Sequence, residues 1–482
     1  MNISKIYKYT LKIFLIIYAI FSVCIFIAPL KYGTSIKFIL FYVIILLLFL
    51  FLILLKKHFK NILKNKKVRK IIFISIIVIG ILLRIIFAFL NYNQLPEEGD
   101  YYTFFFNASN FCEKGFIYNK SYVELFPFLI PYMVILGSFF KLTKISYNCM
   151  VILNIILDLL IPLFLYFTFE NKNVKKAIVS LWLLSPINLV WCTVCCPVVL
   201  VNFGIALSLL VFSKILKHIN SKLFILYSIL TGVIMGIANM FRPLMLIMLI
   251  AIALYYIFIN LNQKKLNTYY IISLLLIFIS FISISFLGRF TLNKIIDGKV
   301  STSSGWTLYI GSNIESSGGW YSEPKFEEFS EKYSTAEEIQ QEFKKLAIER
   351  YKNNGIKNIN LFISKFFVIT GNIAEYSFET FKGTVSISNN LFLNLIKLAF
   401  HIYITILILL NALNVYLDIK YKNSDIQDLF YMLLYIGLVM AHLFVEVSPR
   451  YYMPAIVPLT IISGLSLYKF LIVTKKGEIK ND

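Results

Sequence analysis

The chain has 482 residues, 59% of them hydrophobic, with a mean hydropathy of +0.77 and a formal net charge of +22. No soluble globular domain of that size tolerates so much apolar surface, so composition excludes a soluble enzyme and points to a polytopic membrane protein. The Lys and Arg residues gather in short segments between apolar runs, the positive-inside bias that orients helices rather than a nucleic-acid-binding face.

The start, MNISKIYKYT, leads into an apolar stretch without a small-residue cleavage site and reads as a retained first helix. Runs of about 17 to 25 apolar residues are long enough to cross a bilayer. They predict twelve spans, near 11–29, 36–55, 71–90, 150–169, 176–192, 197–213, 222–240, 243–259, 270–288, 391–415, 428–446 and 452–472. The linker KKHFKNILKNKKVRK, from Lys56 to Lys70, is the most basic stretch and is assigned to the cytoplasm. The third span then delivers LPEEGDYY, residues 95–102, to the outer face. The run at 125–140, LFPFLIPYMVILGSFF, is read as a juxtamembrane helix. Counting it as a span would put the basic segments 172–176, 214–222 and 264–265 outside, and Pro127 and Pro131 each remove a backbone donor. The same parity places 289–390 outside as a polar, mixed segment large enough for a small cap. Within it, 360–371 reads as an interfacial helix interrupted by Lys365. The expected organisation is a hairpin and basic linker over 1–70, a catalytic transmembrane module over 71–288 with its first outer loop at 91–149, the outer segment at 289–390, and C-terminal helices over 391–482.

Four features converge on the expected outer face: Asp100 with Glu97 and Glu98, Arg242 in GIANMFRPLML, the 289–390 segment, and Arg450 in VEVSPRYYMP with Glu446 a turn away as a structural partner. Acids just beyond a span are commonly solvated loop residues, and an Arg at a helix end can snorkel without further function. A guanidinium near membrane level is nonetheless costly unless it meets a partner or water. Arg84 and Asp158 fall inside predicted spans and are read as an ion pair joining two helices. Cys192 and Cys195 have Cys-x-x-Cys spacing but no second ligand pair, so they are read as small hydrophobes; the six cysteines suggest no disulfide framework. The sequence contains no nucleotide-binding Gly-rich loop, ATPase motif or internal repeat.

Taken in order, the Asp after an apolar helix, the run ELFPFLIPYMVILGSF, the LSP at Leu184 to Pro186, GIANMFRP, YIGSNIESSGGWY and PRYYMPAIVPL resemble the membrane glycosyltransferases of the GT-C fold. The nearest group is the bacterial relatives of the dolichyl-phosphate-mannose protein mannosyltransferases, over roughly residues 71–470. The resemblance implies an all-α polytopic membrane protein, a GT-C-like bundle of about 12 transmembrane helices with juxtamembrane helices. It also implies an inverting, mannosyltransferase-like transfer of a hexose from a polyprenyl-phosphate donor to an envelope glycan, lipid or protein acceptor. The place would be the outer face of a bacterial plasma membrane, with both termini cytoplasmic, membrane lipids as further partners and no nucleic acid. Asp100 would be the general base, and Arg242 and Arg450 would meet the donor phosphate, a task suited to the planar guanidinium fork. Glu97 and Glu98 would support the acceptor, with Tyr102, Trp320 and Tyr451 completing the substrate-binding set. Two features depart from the family pattern. Tyr101 stands where many relatives continue Asp-Glu, and CTVCCPVVL is uncharged where many carry an acid, which leaves a divalent metal unsupported; no cofactor is expected. The competing readings are a transporter or flippase of a lipid-linked envelope precursor using Arg84 and Asp158, a glycopolymer polymerase or ligase with a diphosphate-linked donor, and a non-enzymatic envelope scaffold.

Overall fold

The computed structural model describes residues 3–31, 36–54, 56, 65–90, 99–118, 120–385, 389–421 and 426–472, and no strand occurs among them. Glu97 and Glu98 lie outside the described residues. The helices, in chain order, are α1 (Ile3–Ile27), α2 (Ile36–Leu54), α3 (Lys66–Leu90), α4 (Gly99–Lys114), α5 (Lys120–Leu125), α6 (Ile130–Leu142) and α7 (Tyr147–Thr168). They continue as α8 (Lys172–Leu183), α9 (Pro186–Thr193), α10 (Val198–His218), α11 (Leu223–Phe241), α12 (Met245–Gln263) and α13 (Thr268–Ile295). The remainder are α14 (Gly305–Gly311), α15 (Lys325–Lys332), α16 (Ala336–Asn354), α17 (Lys357–Gly371), α18 (Ile373–Thr384), α19 (Asn390–Tyr421), α20 (Ile426–Met440) and α21 (Met453–Ile472).

Among the described residues nine helices are long and apolar enough to cross a membrane, and the bent pair α8–α9 makes a tenth if it counts as one span. The described residues thus form an all-helical, multi-pass membrane protein, with nine or ten such helices among them beside the twelve expected of the whole chain. The run at 176–192 is broken by 54° between Leu183 and Pro186. Ser185 caps α9 by accepting from Asn188 N, and Pro186 occupies its first turn, where its missing N–H costs nothing but where it cannot prolong α8. The run at 428–446 is a shorter helix that ends in a 3-10 turn, Ala441–Phe444. Helices α6, of 13 residues, and α17, of 15, rise only about 20 Å and 22 Å at 1.5 Å per residue, short of the ~30 Å hydrocarbon core. The segment expected to be mixed is helical, and α13 runs on to Ile295, past the expected boundary at 288.

The cap, α14–α16, has its own core of Trp306, Tyr309, Phe329 and Phe343. Its longest helix, α16, starts with a capping box between Thr335 and Glu338, so two otherwise orphaned backbone donors are satisfied. Within the bundle Arg84 Nε donates to Asp158 Oδ2 at 2.7 Å, while Arg84 Nη1 also serves the carbonyls of Gly80 and Leu183. Trp182 Nε1 donates to the other Asp158 oxygen at 3.2 Å. Both charges are fully buried, and this lacing makes them a clasp between α3, α7 and α8. At the far end of α21, Lys469 joins Asp418 and Asp428. The opposite end, which carries the cap, also carries α4 packed on α6, α18 packed on α9 and α19, and a strap of two 3-10 turns over 441–452 between α20 and α21.

Candidate active site at the cap end

Three local features present the charged side chains. Gly99 has φ +81°, a left-handed conformation that suits glycine, and it turns the chain into α4 so that Asp100 stands in the first turn. A carboxylate there is favoured by the helix dipole. Arg242 directly follows α11 in an extended conformation, φ −165° and ψ 131°, because Pro243 disfavours the helical region for the residue before it. Arg450 lies in the 3-10 turn Pro449–Tyr452, which begins with proline.

These three segments, far apart in sequence, meet. Arg450 Nη2 donates to Asp100 Oδ2 at 2.8 Å, with the side chains 22% and 43% exposed, so Asp100 is still open to an incoming group. The Arg242 guanidinium carbon stands 3.8 Å from the centre of the Tyr451 ring, and that of Arg450 stands 5.7 Å from it. Tyr451 Oη donates to Glu446 Oε1 at 3.3 Å, so one aromatic ring links both cations to a second carboxylate. His442 stacks on Tyr451, with the ring centres 5.5 Å apart. Tyr101 comes 5.9 Å from Arg450, and Tyr376, stacked on Trp191, is close enough to affect Arg450.

Burial raises Glu446 above the usual carboxylate range, against the opposing pull of Arg450, the Tyr451 hydrogen bond and Arg242. Burial lowers Arg242, and the like charge of Arg450 adds to that, while the Tyr451 ring and Glu446 oppose it. The Tyr122 hydroxyl is raised by burial and then by Asp100. Below the cluster Cys196 feels Arg450, Arg242 and Asp100, but burial pushes its thiol up to about 12, so it remains an unreactive thiol. Among the described residues no three His, Cys, Asp or Glu side chains group to hold a metal ion.

The structure therefore brings together Asp100, Arg242, Arg450 and Tyr451. It does not bring in Tyr102, which is 41% exposed and stacks on Phe106, 5.8 Å away along the same helix. Trp320 is 70% exposed, although its turn touches the strap through Val447 N donating to Gly318 O at 2.9 Å. Glu446 was expected to pair with Arg450; Arg450 instead takes Asp100, and Glu446 accepts from Tyr451. Tyr101, Tyr122 and Tyr376 also belong to the cluster. No spacing rule singles them out among 31 tyrosines, though Tyr101 could have been suspected from its place beside Asp100. A cavity of about 170 Å³ opens beside Pro243, lined by Phe126, Asn239, Ser285, Arg289 and the hydroxyl-rich run Ser301 to Ser304.

Fold and site together define a multi-pass helical membrane protein with two arginines and two carboxylates gathered at one end of the bundle. No family model matches the chain, and no curated protein matches it.

Proposed function

We propose that this protein is a glycosyltransferase that moves a sugar from a polyprenyl-phosphate donor to an acceptor hydroxyl, with the cap end facing the outside of the plasma membrane. The observation that carries this reading is the Asp100–Arg450 contact beside Arg242, drawn from three separate elements. A lipid-borne sugar phosphate is already activated, so the protein must place a base on the acceptor and cations on the departing phosphate. Asp100 removes the acceptor proton as that oxygen attacks the anomeric carbon. The bond from that carbon to the phosphate oxygen breaks, and its electron pair leaves with the phosphate, held by Arg450 and Arg242. Displacement in one step inverts the sugar carbon.

Arg450 holds the Asp100 carboxylate in a 2.8 Å contact. A phosphate that draws Arg450 to itself frees that carboxylate to face the acceptor hydroxyl. The cavity beside Pro243, with the exposed Phe286, Leu287 and Phe290 of α13 nearby, offers a route for an amphiphile from the bilayer side. The transporter reading asks Arg84 and Asp158 to move charge, and their closed, fully buried lacing favours a structural clasp instead.

The test is turnover of polyprenyl-phosphate hexose by the full chain in nanodiscs, with a polyprenyl-diphosphate donor in parallel. Loss of transfer in a folded Asp100→Asn variant is expected. Wild-type rates in that variant would overturn the assignment, and preference for the diphosphate donor would favour a polymerase or ligase.

A further inference from the structure

Lys365 is the one residue of α17 whose burial is chemically expensive, for its side chain is fully enclosed in an otherwise apolar stretch, LFISKFFVIT. Its Nζ donates to Gly311 O and to Leu443 O, each at 2.7 Å, and comes within 3.4 Å of Tyr351 Oη. The Tyr351 hydroxyl reaches the same two segments, at 3.2 Å from Gly311 O and 3.0 Å from Phe444 O. Gly311 ends α14 of the cap, and Leu443 and Phe444 lie in the first 3-10 turn of the strap, so the lysine and tyrosine bridge cap to strap. Two backbone bonds close the same seam: Glu446 N to Thr307 O at 2.6 Å and Val447 N to Gly318 O at 2.9 Å. Gly318, at φ +73°, folds its turn against the Lys365 stem, where any Cβ would collide with it.

The seam leads straight to the site. Three residues after Leu443 comes Glu446, and the strap then carries Arg450 and Tyr451. Burial lowers the Lys365 ammonium to about 7, with Glu446 opposing. A neutral amine keeps two N–H donors, so both carbonyls are served on either side of that pH and the bridge is not a pH switch.

We propose that Lys365 is a positioning residue of the active site, clamping the cap turn at 311–319 to the strap at 441–447 and so fixing Arg450 and Tyr451 against Asp100. The kinetic part of this inference rests on the transferase reading above, while the clamp itself does not. Arg242 reaches the site from the end of α11, outside the clamp, and still offers one cation to a phosphate when the strap loosens.

The experiment uses the full chain in nanodiscs and two variants, Lys365→Met and the milder Tyr351→Phe, which removes one hydroxyl and keeps the lysine. Amide hydrogen exchange is expected to rise by about tenfold or more at 446–452 in Lys365→Met, and by less in Tyr351→Phe, while α16 keeps its protection, as local opening of one seam requires. The kcat on polyprenyl-phosphate hexose should fall by roughly tenfold to a hundredfold, because sub-ångström misplacement of reacting groups is costly, while the Kd for polyprenyl phosphate alone weakens by less than the roughly tenfold expected when a guanidinium is removed outright. A purely structural lysine would lower the yield of folded protein and leave the kcat of the folded fraction intact. Unchanged exchange at 446–452, in Lys365→Met or, should that variant not fold, in Tyr351→Phe, overturns the inference. Absence of transfer in the wild type, with the exchange pattern as expected, would strike at the transferase reading and leave the clamp standing.

Discussion

Asp100→Asn should separate two quantities that an ordinary loss of structure would lower together. Asparagine keeps the size of the side chain and an oxygen for Arg450, but it cannot take a proton, so transfer should fall by about 10²- to 10⁴-fold, the usual worth of a positioned base. Binding of the bare polyprenyl phosphate should move the other way, because the carboxylate that competes for Arg450 is gone. The pair's N–O distance is 2.8 Å. Unit charges about 4 Å apart interact by roughly 4 kcal/mol at an effective dielectric constant of 20. Asp100 is 43% exposed, and screening of such a pair leaves about 1 kcal/mol, or about a fivefold tighter Kd. The assay is calorimetric titration of polyprenyl phosphate into nanodisc-held protein beside turnover of the polyprenyl-phosphate hexose. A variant that loses turnover and phosphate affinity in step, or that keeps wild-type turnover, refutes competition between carboxylate and phosphate for Arg450.

Arg242→Met should weaken polyprenyl phosphate by about 10- to 100-fold, since a charge-assisted hydrogen bond is worth about 1.5–3 kcal/mol, and Arg242→Lys should restore only part because an ammonium cannot lie flat on the Tyr451 ring; the same titration measures it. Glu446 is raised in the folded protein, so it loses its proton at a higher pH than a free glutamate, and donor kcat/KM should fall as pH rises through that ionisation and lose the limb in Glu446→Gln. Arg84→Met should lower stability by about 3–5 kcal/mol, since it strands a buried aspartate, and adding Asp158→Leu should recover most of it; thermal unfolding decides, and a transport role would instead leave the double variant stable but inactive. In the cap, slight burial raises Glu337, but hydrogen bonds from Ser303, Thr302 and Gln341 outweigh it and bring it down to about 2. Its stabilisation is present above the unfolded value of 4.5 and is lost as pH falls through about 2, so cap exchange protection should drop over that window in the wild type and not in Glu337→Gln.

Hydrophobic run length made the helical class and most of the bundle legible, because burying backbone in lipid leaves a helix few alternatives. The count of spans was less legible. Pro186 after Ser185 breaks one run by 54°, a bend that hydropathy cannot register. The four residues Asp100, Arg242, Arg450 and Tyr451 could be named because each is a polar interruption at the edge of an apolar run. Their pairing could not, since Arg450 passes over Glu446, four residues away, for a carboxylate 350 positions distant. Nothing in the local sequence of Tyr122 or Tyr376 separates them from ordinary interfacial residues, whereas Lys365 stands out as the charge inside LFISKFFVIT but the two carbonyls that it bridges, 54 and 78 positions away, do not.

On the proposed transferase reading, the charges of the site suit a monophosphate donor. A polyprenyl-phosphate sugar is a diester carrying about one negative charge, and the phosphate that leaves carries a second by the end of the reaction. Burial raises Glu446 above the usual carboxylate range; if it carries its proton there, the charges to count are Arg242, Arg450 and Asp100. Arg242 and Arg450 against Asp100 then give a net of +1, which meets the donor. When Asp100 accepts the proton, the net becomes +2 as the phosphate gains its second charge, so the field of the site follows the reaction without any group having to move. A diphosphate donor would carry one more negative charge at each stage, unmatched by these side chains in a partly dehydrated site where such an imbalance is costly. Glu446 is then the residue that sets the match. Ionised, it cancels one arginine and leaves even the monophosphate one positive charge short.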